Sequence, residues 1–197
     1  ASEYINLDDS AMYLETLNLG AEKFPKSKYF IPNLVNVFIR EGNTEKAMQY
    51  LDQAISNDPS NSCDLNSVKG ALLAEQGDFE GAESEYKKAL VQDPNCERAL
   101  EALAVNYILQ AQNIKEASVQ ISDRQQQVAN DEKAIKFYEA SLAPLEKYAE
   151  LLRSRDASES EKQSALLKLR NVYYNLSNMG IDKSTEMEAV EKELNLN

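Results

Sequence analysis

Histidine and tryptophan are absent from the 197 residues, and cysteine occurs only twice. Without histidine the chain lacks the commonest general base at neutral pH and the commonest transition-metal ligand. Cys63 and Cys96 are too few and too far apart for a disulfide-rich scaffold or a thiolate metal site. No apolar run exceeds a few residues, "ALAV" at 102–105 being typical, so no segment can span a bilayer. The opening "ASEYINLDDS" has neither the basic start nor the apolar core of a signal peptide. Basic charge is scarce too: 21 Lys and Arg stand against 33 Asp and Glu, a net charge of −12. That balance, with no dense basic stripe, argues against a nucleic-acid partner, because phosphate neutralisation needs clustered cations. Acidity serves solubility more often than it marks a basic partner.

Phosphate-cradling glycine loops, dinucleotide fingerprints and spaced metal ligands are missing as well. Carboxylates such as Glu80, Glu83 and Glu85 form no pair set apart by apolar surroundings, and no nucleophile has a base beside it. The expectation is therefore a chain that is not an enzyme, with no catalytic residue, no metal ligand and no cofactor.

What is present is repetition. The stretch "GNTEKAMQYLDQAISNDP" at 42–59 returns as "GDFEGAESEYKKALVQDP" at 77–94. Gly42, Ala47, Leu51, Ala54 and Pro59 align with Gly77, Ala82, Tyr86, Ala89 and Pro94, each 35 residues on, and Pro25 precedes Pro59 by 34. A fixed period of this length means stacked supersecondary units, each too small to bury its own apolar face. Within a unit the pattern is two helices. Ile31, Leu34, Val35 and Phe38 make one amphipathic stripe, and Ala47, Leu51, Ala54 and Ile55 a second. Gly42 supplies the stop between them, Asn43 or Thr44 the next cap, and Pro59 the end.

This pattern resembles the tetratricopeptide repeat, a helix–turn–helix unit of about 34 residues stacked into a right-handed superhelix. The unit from 63 departs at Asn66 and Lys69, where apolar residues are expected, so its first helix should sit slightly rotated. Counting back from Pro25 puts Ala1 and Tyr4 midway along a first helix, as in a fragment of a longer protein. From Tyr107 the next second-helix position is reached only at Ser141, about 25 residues late. The intervening run lacks Gly and Pro and reads as a helix continuing from Glu97 to about Gln125, with a partner returning from about Asp131. Ile108, Ala111, Ala117, Val119, Ile121, Val128, Ile135 and Phe137 are its expected seam, and the hairpin should project by roughly 15–20 Å. Pro144 should kink the returning helix without ending it. Such a hairpin, the helix "LAPLEKYAEL" and the terminal "LRNVYYNLSNMG" look similar to exported tetratricopeptide proteins of Gram-negative gut anaerobes. That likeness, over roughly 97–197, implies a periplasmic or envelope-associated protein.

The expected architecture is an all-α, right-handed superhelical solenoid of helical hairpins, one of them extended. A single solenoid fills 1–197: a partial unit over about 1–27, units at 28–62, 63–96 and 97–155 with the extended hairpin at about 108–140, and a terminal helix pair at 156–197. In the resembled family the concave groove is lined from fixed first-helix positions. The corresponding candidates for partner contacts are Tyr29, Asn33, Asn36, Ser67, Ala71, Arg98, Glu101 and Val105. Pro32 stands where a peptide-carboxylate clamp of this family carries lysine, so that clamp is not implied. Small residues at 67, 71 and 74 leave room for an extended segment or partner helix, or simply keep the groove open. Cys63 and Cys96 begin successive first helices; neighbouring helices pack 8–10 Å apart, so both are expected as free thiols. Tyr86, Tyr107, Tyr148 and Tyr173 fall at packing positions, whereas Tyr13, Tyr29, Tyr50 and Tyr138 are freer to form a contact surface. The function expected is a scaffold for a protein or peptide of unknown identity, using the groove or the hairpin, with no membrane insertion. The alternative is a structural or self-association module attached to an upstream domain.

Overall fold

The structure, a computed structural model, describes residues 7–24, 27 and 29–195. The expectations built on Ala1, Tyr4 and Pro25 lie outside these described residues. Among them are nine α-helices and one short 3-10 turn at Pro59–Asn61, with no strand. The helices are α1 (Leu7–Lys23), α2 (Phe30–Arg40), α3 (Thr44–Asn57), α4 (Ser62–Glu75), α5 (Phe79–Gln92), α6 (Glu97–Ser118), α7 (Arg124–Ser154), α8 (Glu159–Asn178) and α9 (Ser184–Glu193).

Each hairpin is punctuated as its chemistry requires. Gly42 and Gly77 take φ of +69° and +81°, the left-handed region that releases the chain from α2 and α4. Asn43 then accepts a hydrogen bond from the Lys46 amide (3.2 Å), and Asp78 one from Gly81 (2.9 Å), starting α3 and α5. Ile31, Leu34, Val35 and Phe38 meet Ala47, Leu51 and Ala54 in one buried cluster that also takes in Leu17 and Ala21 of α1 and Leu65 and Leu72 of α4. The second large cluster joins α6, α7, α8 and α9 around Leu100, Ala134, Leu145, Leu152, Leu166, Leu169 and Leu176. Between the two, α4 and α5 approach so closely that a Cβ added at Gly70 would lie 2.5 Å from the Tyr86 ring.

Lys69, one of the two polar departures of the second unit, has partners across the hairpin stack. Lys69 reaches Asp52 of α3 at 2.6 Å and Glu85 of α5 at 3.4 Å, tying three helices together at a site the repeat usually fills with an apolar side chain.

The extended hairpin turns earlier than the sequence suggests. The α6 helix ends at Ser118 rather than near Gln125, and α7 starts at Arg124 rather than Asp131. Asp123 decides this, because its carboxylate accepts from the amides of Gln125 (2.8 Å) and Gln126 (3.0 Å). With no Gly or Pro in the run, the Asp123 cap is what sets the start of α7. The seam therefore consists of Ala111, Ser118, Ala134 and Tyr138, flanked by half-buried Ile108, Ile114, Ile135 and Phe137. Ala117, Val119 and Val128, expected inside it, are exposed. Tyr138, expected as a freer surface residue, is buried in the seam.

At the base of the hairpin Arg155 bridges Glu97 of α6 (2.8 Å) and Glu161 of α8 (2.7 Å). Glu161 also completes a capping box with Ser158. Hydrogen bonding from Ser158, then from Arg155, holds the Glu161 carboxyl down at about 2. A carboxylate depressed by folding contributes stability above its ordinary value and loses it as pH falls through the folded one. Melting temperature is accordingly expected to fall as pH drops from about 4.5 to about 2, and less steeply in Glu161→Gln. Thermal unfolding followed by circular dichroism between pH 7 and pH 2 measures both.

Candidate functional site

Four of the eight sequence-derived candidates converge. Ala71 of α4 and Arg98, Glu101 and Val105 of α6 line one open cavity of about 310 Å³, together with Ala74, Glu75, Tyr86, Ala102, Asn106 and Leu109. They meet because α4 and α6 are successive first helices, and small side chains at 71, 74 and 102 leave the space between them unfilled. A second cavity, of about 540 Å³, shares Arg98 and Glu101 with the first. It continues past Asp64, Asp93, Glu97, Tyr148, Arg155 and Glu161, so the two cavities adjoin across Arg98 and Glu101 and are together called the channel, apolar at one end and charged at the other.

The other candidates lie elsewhere. Tyr29 is exposed at the start of α2, its ring edge-on to Phe30 with centroids 5.3 Å apart. Asn33 donates to the Tyr29 carbonyl (2.6 Å) and accepts from the Tyr13 hydroxyl (3.4 Å), so it organises the α1–α2 end. Asn36 is exposed on α2 and lines neither cavity. Ser67 is not a groove contact: it is 2% exposed, and its hydroxyl donates to the Cys63 carbonyl at 2.7 Å.

Cys63 and Cys96 are not free thiols. They form a disulfide in the wall of the charged cavity, with Cα atoms 5.8 Å apart. The 8–10 Å spacing that argued against a bond separates helix axes, but Cα atoms lie about 2.3 Å off each axis, so facing positions come several ångströms closer. Cys96 gains further because it precedes α6 in a turn closed by its amide on the Asp93 carbonyl (3.0 Å).

The channel's floor is tyrosine held neutral. Burial, then the Glu75 carboxylate, raises the Tyr86 phenol to about 12, and burial with Glu101 and Glu97 raises Tyr148 likewise to about 12. Asn106 is buried beside them; its side-chain amide donates to the Phe79 carbonyl (3.0 Å), while its Oδ1 has no hydrogen-bond partner. Arg98 stands 3.4 Å from Asp64, and Glu101 is 3.1 Å from Lys168 of α8. Among the described residues no group of three His, Cys, Asp or Glu side chains could hold a metal ion, and no helix is long and apolar enough to cross a membrane. Sequence reasoning passed over Glu75 and Leu109, one residue beyond the canonical groove positions, and Asp93, in the loop between units. It also passed over Arg155 and Glu161, which reach the channel from beyond the extended hairpin.

Residues 33–61 match the family model described as tetratricopeptide repeat. No curated protein matches the chain. Among solved structures, the chain is similar to a monomeric mutant of IFIT1 with Gppp-AAAA, at 21% identity and a TM-score of 0.63, covering 92% of this chain and 36% of that one. It spans about a third of that relative's length. A tetratricopeptide repeat protein from Parabacteroides merdae aligns over 93% of this chain and 83% of its own, at 17% identity and a TM-score of 0.45. With a tetratricopeptide repeat matched at 33–61 and helical hairpins stacked on either side of it, the chain carries that repeat and folds as an all-α solenoid of hairpins.

Proposed function

We propose that the chain is a non-catalytic scaffold that holds a peptide or an extended protein segment in the channel between α4 and α6. The observation that carries this is the apolar end of the channel, where Ala71, Ala74 and Ala102 leave an open cavity of about 310 Å³ walled by Val105 and Leu109. That is space for one or two side chains of a bound segment, at the small end of ligand pockets. The oligonucleotide of the IFIT1 structure has no counterpart in this reading, because the channel is rimmed mainly by carboxylates. The disulfide favours an oxidising compartment, which supports placement in the cell envelope or periplasm. A second reading, self-association, is favoured by Leu167 and Tyr174, seven residues apart on one face of α8 and 45% and 53% exposed.

The test is selection of a phage-displayed library of random 12-residue peptides on the intact chain. Clones that lose binding to Ala71→Trp, which fills the cavity, but keep it with Val119→Lys at the hairpin tip support the channel. Clones indifferent to Ala71→Trp and lost with Val119→Lys put recognition on the hairpin and overturn it.

A further inference from the structure

The channel carries a charge pattern that narrows what it can hold. Glu75 and Glu101 rim its apolar end, and Asp64, Asp93, Glu97 and Glu161 line the continuation. Among the described residues, the cations that line these cavities are Arg98 and Arg155, and Lys168 reaches Glu101 from α8. All three cations are occupied: Arg98 by Asp64, Arg155 by Glu97 and Glu161, Lys168 by Glu101. Among the described residues, neither Glu75 nor Asp93 has a cation within ion-pair distance. Field lines from unpaired carboxylates concentrate in a cleft with low-dielectric walls, so the potential inside is more negative than on an open surface of equal charge. Asn106 adds to it, since its unpartnered Oδ1 places a partial negative charge beneath the same wall.

From this we infer that the channel selects a basic segment: a peptide with a small apolar anchor seated over Ala71, Ala74 and Ala102, flanked by Lys or Arg that meet Glu75 on one side and Asp93 and Glu101 on the other. The inference rests on the reading of the channel as a peptide site and adds the chemistry of the occupant. An apolar anchor alone would be tolerated but not selected. An acidic segment would be repelled, because it meets the carboxylates of Glu75 and Asp93, which no cation neutralises, at close range.

Peptides recovered from the selection above, resynthesised with a fluorescein label and titrated by anisotropy, test this directly. Channel-dependent peptides should be rich in Lys and Arg beside an apolar residue, and should bind more weakly at 500 mM than at 50 mM salt, concentrations chosen to span the screening range. Reversing Glu75→Lys and Glu101→Lys together should weaken them about tenfold or more, since each reversal turns an attractive contact into a repulsive one. The neutral pair Glu75→Gln and Glu101→Gln should give an intermediate loss, and its unchanged melting curve would exclude misfolding as the cause. Channel-dependent peptides that are neutral or acidic, or that ignore salt and both charge variants, would overturn the basic-segment inference while leaving the peptide site intact. A selection returning no peptide sensitive to Ala71→Trp would overturn both.

Discussion

Reduction of the Cys63–Cys96 bond is expected to lower the melting temperature by about 6–15 °C and to broaden one unfolding transition into two. The bond closes a loop with a sequence separation of 33. On the chain-entropy scale a loop of that length stabilises the fold by about 3–4 kcal/mol, and each kcal/mol is worth roughly 2–4 °C in a chain of this size. The broadening follows from where the bond sits. The larger apolar clusters lie on either side of it, one over α1–α4 and one over α6–α9. Between them stand only small satellite groups, one around Tyr86 and Tyr107 and one around Ala89, Cys96 and Ala99. A solenoid is stabilised chiefly by nearest-neighbour interfaces, so halves whose large clusters meet only through small ones unfold separately once nothing else couples them. The covalent link from α4 to the start of α6 keeps them coupled. Differential scanning calorimetry with and without reductant, and of the Cys63→Ser, Cys96→Ala pair, measures both effects. A reduced protein that melts within about 2 °C of the oxidised one, in a single transition, would show that the link is not what couples the halves.

The same bond marks the limit of what the sequence could disclose. The repeat was legible because its period is written in residues whose chemistry is local: Gly42 and Gly77 as stops, Asn43 and Asp78 as caps, alanines at the close contacts. Each acts within a few positions, so spacing alone reveals it. The channel was half legible. Ala71, Arg98, Glu101 and Val105 could be named because groove positions recur with the period, but Arg155 and Glu161 could not. They enter the charged end from beyond the extended hairpin, where the period is broken, and only the packing of α7 and α8 onto α6 returns them. Ser67 differs for a related reason: its register points to the groove, but it lies buried against the disulfide, its hydroxyl 3.8 Å from Cys96 Sγ and donating to the Cys63 carbonyl. The cysteines show the same limit: a spacing between helix axes says little about two residues at helix ends.

Leu145→Ala is expected to cost about 3–4 kcal/mol, within the 2–5 typical of a fully buried leucine. Leu145 is 0% exposed on α7 and belongs to the cluster that includes Tyr148, Leu152, Leu166 and Leu169. It follows Pro144, which lies inside the helix and cannot donate the backbone hydrogen bond of an ordinary residue. That turn of α7 therefore relies more on side-chain packing than the turns around it. The destabilisation should also be confined by the solenoid's one-dimensional order. Hydrogen exchange should accelerate for amides of α6–α9 while those around Ala47 and Leu51 keep their protection, because the α1–α4 cluster shares no residue with the damaged one. With the disulfide reduced in the same variant, the C-terminal half should unfold first and alone. Equal acceleration throughout the chain would mean that the halves form a single cooperative unit. Leu167→Ser on the exposed face of α8 provides the contrast, with an expected change within about 0.5 kcal/mol, since that side chain is 45% exposed and lies outside the buried clusters.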